Sequence, residues 1–137
     1  MVKKVDHIGI AVHSIETVIP FYTDVLHLSF IGFEEVPTQQ VKVAFLSAGD
    51  TKIELLEPMS DESAIAKFLK KKGEGIHHIG FEVDHLAAKL SELKEQGVPL
   101  IDEIPRIGAA NAKIAFLHPI AANHVLIELC EKQRGDL

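Results

Sequence analysis

The chain repeats itself, and this constrains its fold more than any other feature. Residues 5–12 read VDHIGIAV and residues 76–83 read IHHIGFEV, an offset of 71 residues. At the same offset, Lys42-Val43-Ala44-Phe45-Leu46 meets Lys113-Ile114-Ala115-Phe116-Leu117. A third pair, Lys52-Ile53-Glu54-Leu55 and Leu126-Ile127-Glu128-Leu129, has an offset of 74, so the second copy carries three extra residues in its last hairpin. Three matched segments in the same order are the mark of a duplicated supersecondary unit.

Each copy reads as β-α-β-β-β. Residues 4–12 alternate and are rich in β-branched side chains, which predicts a strand. Ser14 stands at a helix N-cap position, with Thr17 to Val25 following at helical spacing and Pro20 early in that run. Strands are expected at 28–34, 40–47 and 51–57, the last two joined by Ala48-Gly49-Asp50. In the second copy we expect a strand at 76–83, Asp84 as cap and a helix over about 85–96 ended by Gly97. Strands near 98–104, 112–117 and 124–131 follow. Between the copies, a helix over about 61–72 is capped by Ser60 or Asp61 and stopped by Gly73. The expected organisation is a single domain, with module 1 at about 4–58, a linker at 59–75 and module 2 at about 76–131. The fold class is α+β. Two paired βαβββ modules form a curved eight-stranded mixed sheet, with helices on the outer face and an inner trough free to bind a ligand.

Strand alternation predicts what lines that trough. One face of the first strand carries Val5, His7, Gly9 and Ala11, and its counterpart carries Ile76, His78, Gly80 and Glu82. Glu54 and Glu128 each stand mid-strand between apolar neighbours that point the other way. A lone histidine or glutamate in a strand is ordinarily structural. Here the duplication sets two of each at equivalent positions, which makes a constellation. Sheltered carboxylates left uncompensated cost several kcal/mol per ion. One divalent cation held by His7, Glu54, His78 and Glu128 relieves that cost, and two nitrogen plus two oxygen donors suit Zn, Co, Ni or Mn better than Ca or Mg.

The remaining histidines carry less. His13, His27 and His85 fall at helix boundaries or in loops, His77 points away from His78, and His118 and His124 border the last hairpin. Cys130 shares a face with Glu128 and reads as packing. As the lone cysteine among 137 residues, it allows no internal disulfide and fits a reducing, cytoplasmic setting. A net charge of −6 without a basic stripe argues against nucleic acid as a partner. Lys70-Lys71-Lys72 reads as the C-terminal complement of a helix dipole. No apolar run approaches membrane-spanning length, and no apolar signal core follows the first residues, so no membrane partner is expected.

With these residues in place, the chain resembles the vicinal oxygen chelate superfamily, and within it the methylmalonyl-CoA epimerase family. The stretches that carry the likeness are VDHIGIAV (5–12), FYTDVLHL (21–28), IELLEP (53–58), GEGIHHIGFEV (73–83), AFLHP (115–119) and VLIELCE (125–131). The resemblance implies metal ligands at His7, His78 and Glu128, with the fourth position, often Gln or Glu, at Glu54. It implies an isomerase that interconverts (R)- and (S)-methylmalonyl-CoA through a metal-stabilised enolate, commonly with Co2+. Glu54 and Glu128 are the expected acid–base pair, an acyl-CoA the expected substrate, and a homodimer the default assembly. Departures fall in the loops. Val43 stands where some members carry a glutamate, Thr38-Gln39-Gln40 replaces a Glu-Gln-Gly run, and Gly108-Ala109-Ala110-Asn111 replaces a Gly-rich loop. Ile120 and His124 replace a basic residue and a glycine. The lactoylglutathione lyases of the same superfamily are the alternative, but their Asp-Pro-Asp-Gly turn is absent here. Non-catalytic relatives usually lack the ligands, and ring-cleaving dioxygenases want a three-ligand site.

Overall fold

The computed structural model describes residues 2–133. These form two compact units, one spanning His7–His77 and the other made of residues 2–6 with 78–133.

In the first unit, the strands are β1 (Val2–Ala11, from His7 onward), β2 (Ser29–Val36), β3 (Val41–Ala48) and β4 (Thr51–Pro58), in the order β2-β3-β4-β1. The two hairpin pairings are antiparallel, and β1 runs parallel to β4. A parallel pair needs a long crossover, which α1 (Ile15–Pro20), β2 and β3 supply. The β3–β4 turn has two residues, with Gly49 at φ 73. That left-handed value comes without steric cost only to glycine.

Ser14 caps α1 as expected, its Oγ accepting from the Thr17 N–H at 3.2 Å. The helix starts at Ile15 and leaves α geometry at Pro20, earlier than the expected Val25. Proline has no N–H to continue the ladder. The chain widens into a π turn over Phe21–Val25, in which Leu26 N–H reaches the Phe21 carbonyl at 3.0 Å. Between β4 and the next strand lies α2 (Ala64–Lys72). Its cap is Ser63, which accepts from the Ala66 N–H at 3.0 Å, and neither Ser60 nor Asp61 takes that role. Ser60 instead bonds the Gln40 side chain. Gly73, at φ 79, stops α2 as expected, and Lys70, Lys71 and Lys72 occupy its last turn.

In the second unit, the strands are β5 (Gly75–Val83, from His78 onward), β6 (Arg106–Ile107), β7 (Lys113–Leu117) and β8 (Ile127–Glu131), in the order β5-β8-β7-β6. Again β5 and β8 are parallel and β7 is antiparallel to both of its neighbours. The expected strand at 98–104 does not form. A single bridge, Leu100 with Leu117, and the two-residue β6 stand in its place. Pro99 and Pro105 bracket the segment, and neither can donate to a ladder. The last strand begins at Ile127, later than the expected 124, because Asn123 and His124 take left-handed φ values of 58 and 69.

The expected Asp84 cap of α3 (Leu86–Glu95) is also corrected. His85 holds the cap position at φ 53 with no side-chain bond, and Leu86 N–H donates to the Glu131 carboxylate at 2.9 Å. Asp84 turns to Lys3 at 3.5 Å. The start of β1 belongs to this second unit, whereas module 1 was expected to begin at residue 4. Lys3 lies 3.3 Å from Glu82, and Lys132 bridges Asp6 and Glu82 at 3.4 and 3.6 Å.

Each helix packs on its own sheet. The first core is Val12, Ile15, Ala44, Leu46 and Leu55, and the second is Val83, Leu86, Leu90, Ala115 and Leu129. Four of these positions correspond at the offsets of the repeat: 12 with 83, 15 with 86, 44 with 115, and 55 with 129. Leu46 and Leu55 are wholly buried, each stabilising the unit by roughly 1.5–3 kcal/mol. With eight strands in mixed pairing and helices segregated onto them, the α+β class and the twofold βαβββ plan stand as read.

Candidate metal centre

The parallel register of β1 and β4 sets Gly9 opposite Glu54 and His7 opposite Lys52. His7 and Glu54 therefore lie diagonally on one face, with Nδ1 3.6 Å from Oε2 and side-chain exposures of 4% and 7%. On its other side Glu54 faces Phe45 across β3. The second unit builds the same arrangement. Gly80 faces Glu128 from β5, Phe116 faces it from β7, and His78 Nε2 stands 3.4 Å from Glu128 Oε1. Those side chains are 6% and 8% exposed, and the Phe116 ring meets His78 edge-on at 5.6 Å.

The residues at these positions fit a divalent ion. Each pair joins an imidazole nitrogen to a carboxylate oxygen, the donor chemistry of Zn and its neighbours in the first transition row. Both carboxylates are buried beside glycine and phenylalanine, surroundings that penalise an uncompensated charge. His7, Glu54, His78 and Glu128 all stand in buried positions on the faces that alternation assigned to them.

Other expected residues fall as follows. His77 packs its ring against Phe68 of α2 at 5.1 Å, and burial together with the Lys72 ammonium pushes its pKa down to about 4. Cys130 is buried with Ile114 and Phe116, and its thiol lies 3.5 Å from the Phe81 carbonyl. His13, His27, His85, His118 and His124 are exposed. His118 Nδ1 accepts from the Ile120 N–H at 3.1 Å and so opens a short helical turn.

Two features escaped the sequence reading. One is the pair Glu57 and Glu131, each three residues past a candidate ligand. Glu57 accepts from Ile15 N–H at 2.7 Å and Glu131 from Leu86 N–H at 2.9 Å, tying the strand of each candidate glutamate to the start of its module's helix. The matched spacing Glu-x-x-Glu in both copies was the available signal. The other is Lys52, which shares the face of Glu54.

Residues 6–116 match the family model of the Glyoxalase/Bleomycin resistance protein/Dioxygenase superfamily. The chain belongs to this superfamily. The vicinal oxygen chelate resemblance is thereby shown, and the relatives narrow it. An uncharacterized protein, YqjC, of Bacillus subtilis (strain 168) is 49% identical over 98% of this chain and 95% of its own length. A mitochondrial methylmalonyl-CoA epimerase of Bos taurus is 38% identical over 92% of this chain and 73% of its own. A Streptomyces coelicolor methylmalonyl-CoA epimerase variant, solved in complex with 2-nitronate-propionyl-CoA, superposes with a TM-score of 0.93 at 33% identity, covering 98% of this chain and 97% of that one.

Proposed function

We propose that the chain is a metal-dependent isomerase, an epimerase that interconverts (R)- and (S)-methylmalonyl-CoA by removing and returning the proton at C2. The observation that carries this reading is the buried histidine–glutamate pair found at equivalent positions in both modules. Either pair alone offers one nitrogen and one carboxylate, too few ligands for a stable site. In this reading His7, Glu54, His78 and Glu128 together hold one divalent ion. Co2+ is the ion proposed for activity, with Zn2+, Ni2+ or Mn2+ as alternatives.

The C2 proton is flanked by a thioester carbonyl and a carboxylate, and the bound ion would supply Lewis-acid stabilisation of the charge that develops there. The chain's residues do the rest. Epimerisation needs an acid–base group on each face of the planar anion. Glu54 and Glu128, one from each module, fill those roles in addition to serving as ligands. Phe45 and Phe116 beside them keep a low-dielectric surround in which their charges act strongly. Val43 is buried and apolar at 1% exposure and offers no further base.

The reading extends to an acyl-CoA as the small-molecule partner, a cytoplasmic location and a homodimer. No described helix is long and apolar enough to cross a membrane. The homodimer is supported by β2, which ends its sheet and exposes Phe30, Ile31 and Phe33.

The test is isotope exchange. Metal-loaded protein incubated with methylmalonyl-CoA in D2O should place deuterium at C2, and stripping the metal should stop it. Absence of exchange with Co2+ or Mn2+ bound, alongside formation of lactoylglutathione from methylglyoxal and glutathione, would overturn the choice in favour of the lyase.

A further inference from the structure

Lys52 is a lysine that the strand register sets beside a candidate ligand pair. It stands two residues before Glu54 on the same face of β4 and directly opposite His7 of β1. Its Cα lies about 6.6 Å along the strand from that of Glu54, within the reach of a lysine side chain. Its ammonium sits over the Phe45 ring, 5.7 Å from the centroid, and Phe45 is the residue that faces Glu54 across β3. Among the described residues Lys52 has no acidic partner, whereas Lys3, Lys89, Lys94 and Lys132 each pair with carboxylates. A cation–π contact of this kind is weak when partly exposed and leaves N–H donors of the ammonium directed away from the ring.

The repeat supplies the control. The position matching Lys52 in the second module is Leu126, which packs against the cluster of Ile114, Phe116 and Cys130. An apolar side chain therefore satisfies the packing needs of this fold position. The lysine in the first module places a cation two residues before Glu54, where the second module has leucine; the cation over the Phe116 ring there is Arg106, 5.5 Å from the centroid and already ion-paired with Asp102 at 3.3 Å.

We propose that Lys52 determines specificity for the acyl group, its ammonium donating to the free carboxylate of the substrate. This rests on the reading of the substrate as a carboxylate-bearing acyl-CoA. The inference commits to the acyl carboxylate because Lys52 is level with His7 of the candidate ligand pair. The CoA phosphates are the competing source of negative charge.

Isothermal titration calorimetry of metal-loaded wild type, Lys52→Leu and Lys52→Arg with methylmalonyl-CoA and with propionyl-CoA separates these outcomes. Propionyl-CoA keeps every phosphate and lacks only the carboxylate. Lys52→Leu should lose at least about tenfold in affinity for methylmalonyl-CoA and bind propionyl-CoA as wild type does, while Lys52→Arg keeps most of the discrimination. Equal loss for both ligands would assign Lys52 to the phosphates and overturn the proposal, as would no loss for either. If wild type binds neither acyl-CoA, the substrate reading fails. Free methylmalonate titrated into wild type and Lys52→Leu then decides Lys52 alone, with weaker binding by the variant supporting the carboxylate role and equal binding overturning it.

Discussion

The two modules share their cores and their candidate ligand pairs but differ in almost everything that joins them to the rest of the chain. In the first module, β2 and β3 are eight-residue strands and a two-residue turn links β3 to β4. In the second, the strand before β7 has two residues, and a helical turn over Pro119–Ala122 followed by two left-handed residues leads into β8. Yet Glu54 and Glu128 keep the same neighbours, a glycine on one side and a phenylalanine on the other. What has been kept is the central parallel pair with its helix. What has diverged is the hairpin edge, where insertions cost little.

If the modules contribute equally to the metal, the largest effects come from the histidines. His7→Ala and His78→Ala should each lower metal affinity by at least about a hundredfold, since even outer-shell partners are worth 10- to 100-fold. Bound Co2+ per chain after dialysis measures this. Full retention by either variant would remove that module from the ligand set. Next come the carboxylates. Glu54→Gln and Glu128→Gln should each reduce C2 exchange by about 10²- to 10⁴-fold, the usual contribution of acid–base groups. A variant that keeps both metal and full exchange excludes that residue from the chemistry. Unequal effects would assign the base and the auxiliary ligand.

The cores give a stability comparison. Leu55→Ala and Leu129→Ala should each destabilise by about 2–5 kcal/mol in denaturant unfolding. Leu55 should be the costlier, being 0% exposed against 5%. The smallest effect concerns the helix starts. Loss of Glu131 leaves α3 with no side-chain cap, whereas loss of Glu57 leaves Ser14 still capping α1. Glu131→Ala should cost about 1–2 kcal/mol and Glu57→Ala about half of that, read as shifts in the denaturation midpoint. The reverse order would mean that Ser14 contributes little.

The sequence reading was most successful where periodicity and duplication reinforced each other. Which residues share the face of each candidate ligand follows from alternation alone, and the repeat turns His7, Glu54, His78 and Glu128 into two matched pairs. It failed where side chains act over distance. Asp84 is a good cap by type, but the Leu86 N–H goes to the carboxylate of Glu131, 45 residues beyond Leu86. Ser60 and Ser63 are equally plausible caps locally, and the contact with Gln40 draws Ser60 away. The segment 98–104 carries an apolar pattern fit for a strand, but Pro99 within it and Pro105 just after it cannot donate to a ladder. Lys52 is legible in the matched tetrapeptides as the position where the two copies differ in charge, lysine in one and Leu126 in the other.

The division of β1 has a consequence for how the protein is made. The unit His7–His77 is continuous, so every residue it needs has left the ribosome by the time His77 emerges. The other unit is discontinuous. Lys3 is separated from its partner Asp84 by 81 residues. Pairings so far apart in the chain are slow to close. The start of the strand that presents His7 thus waits for residues of the second module, whereas the unit His7–His77 draws on none of them.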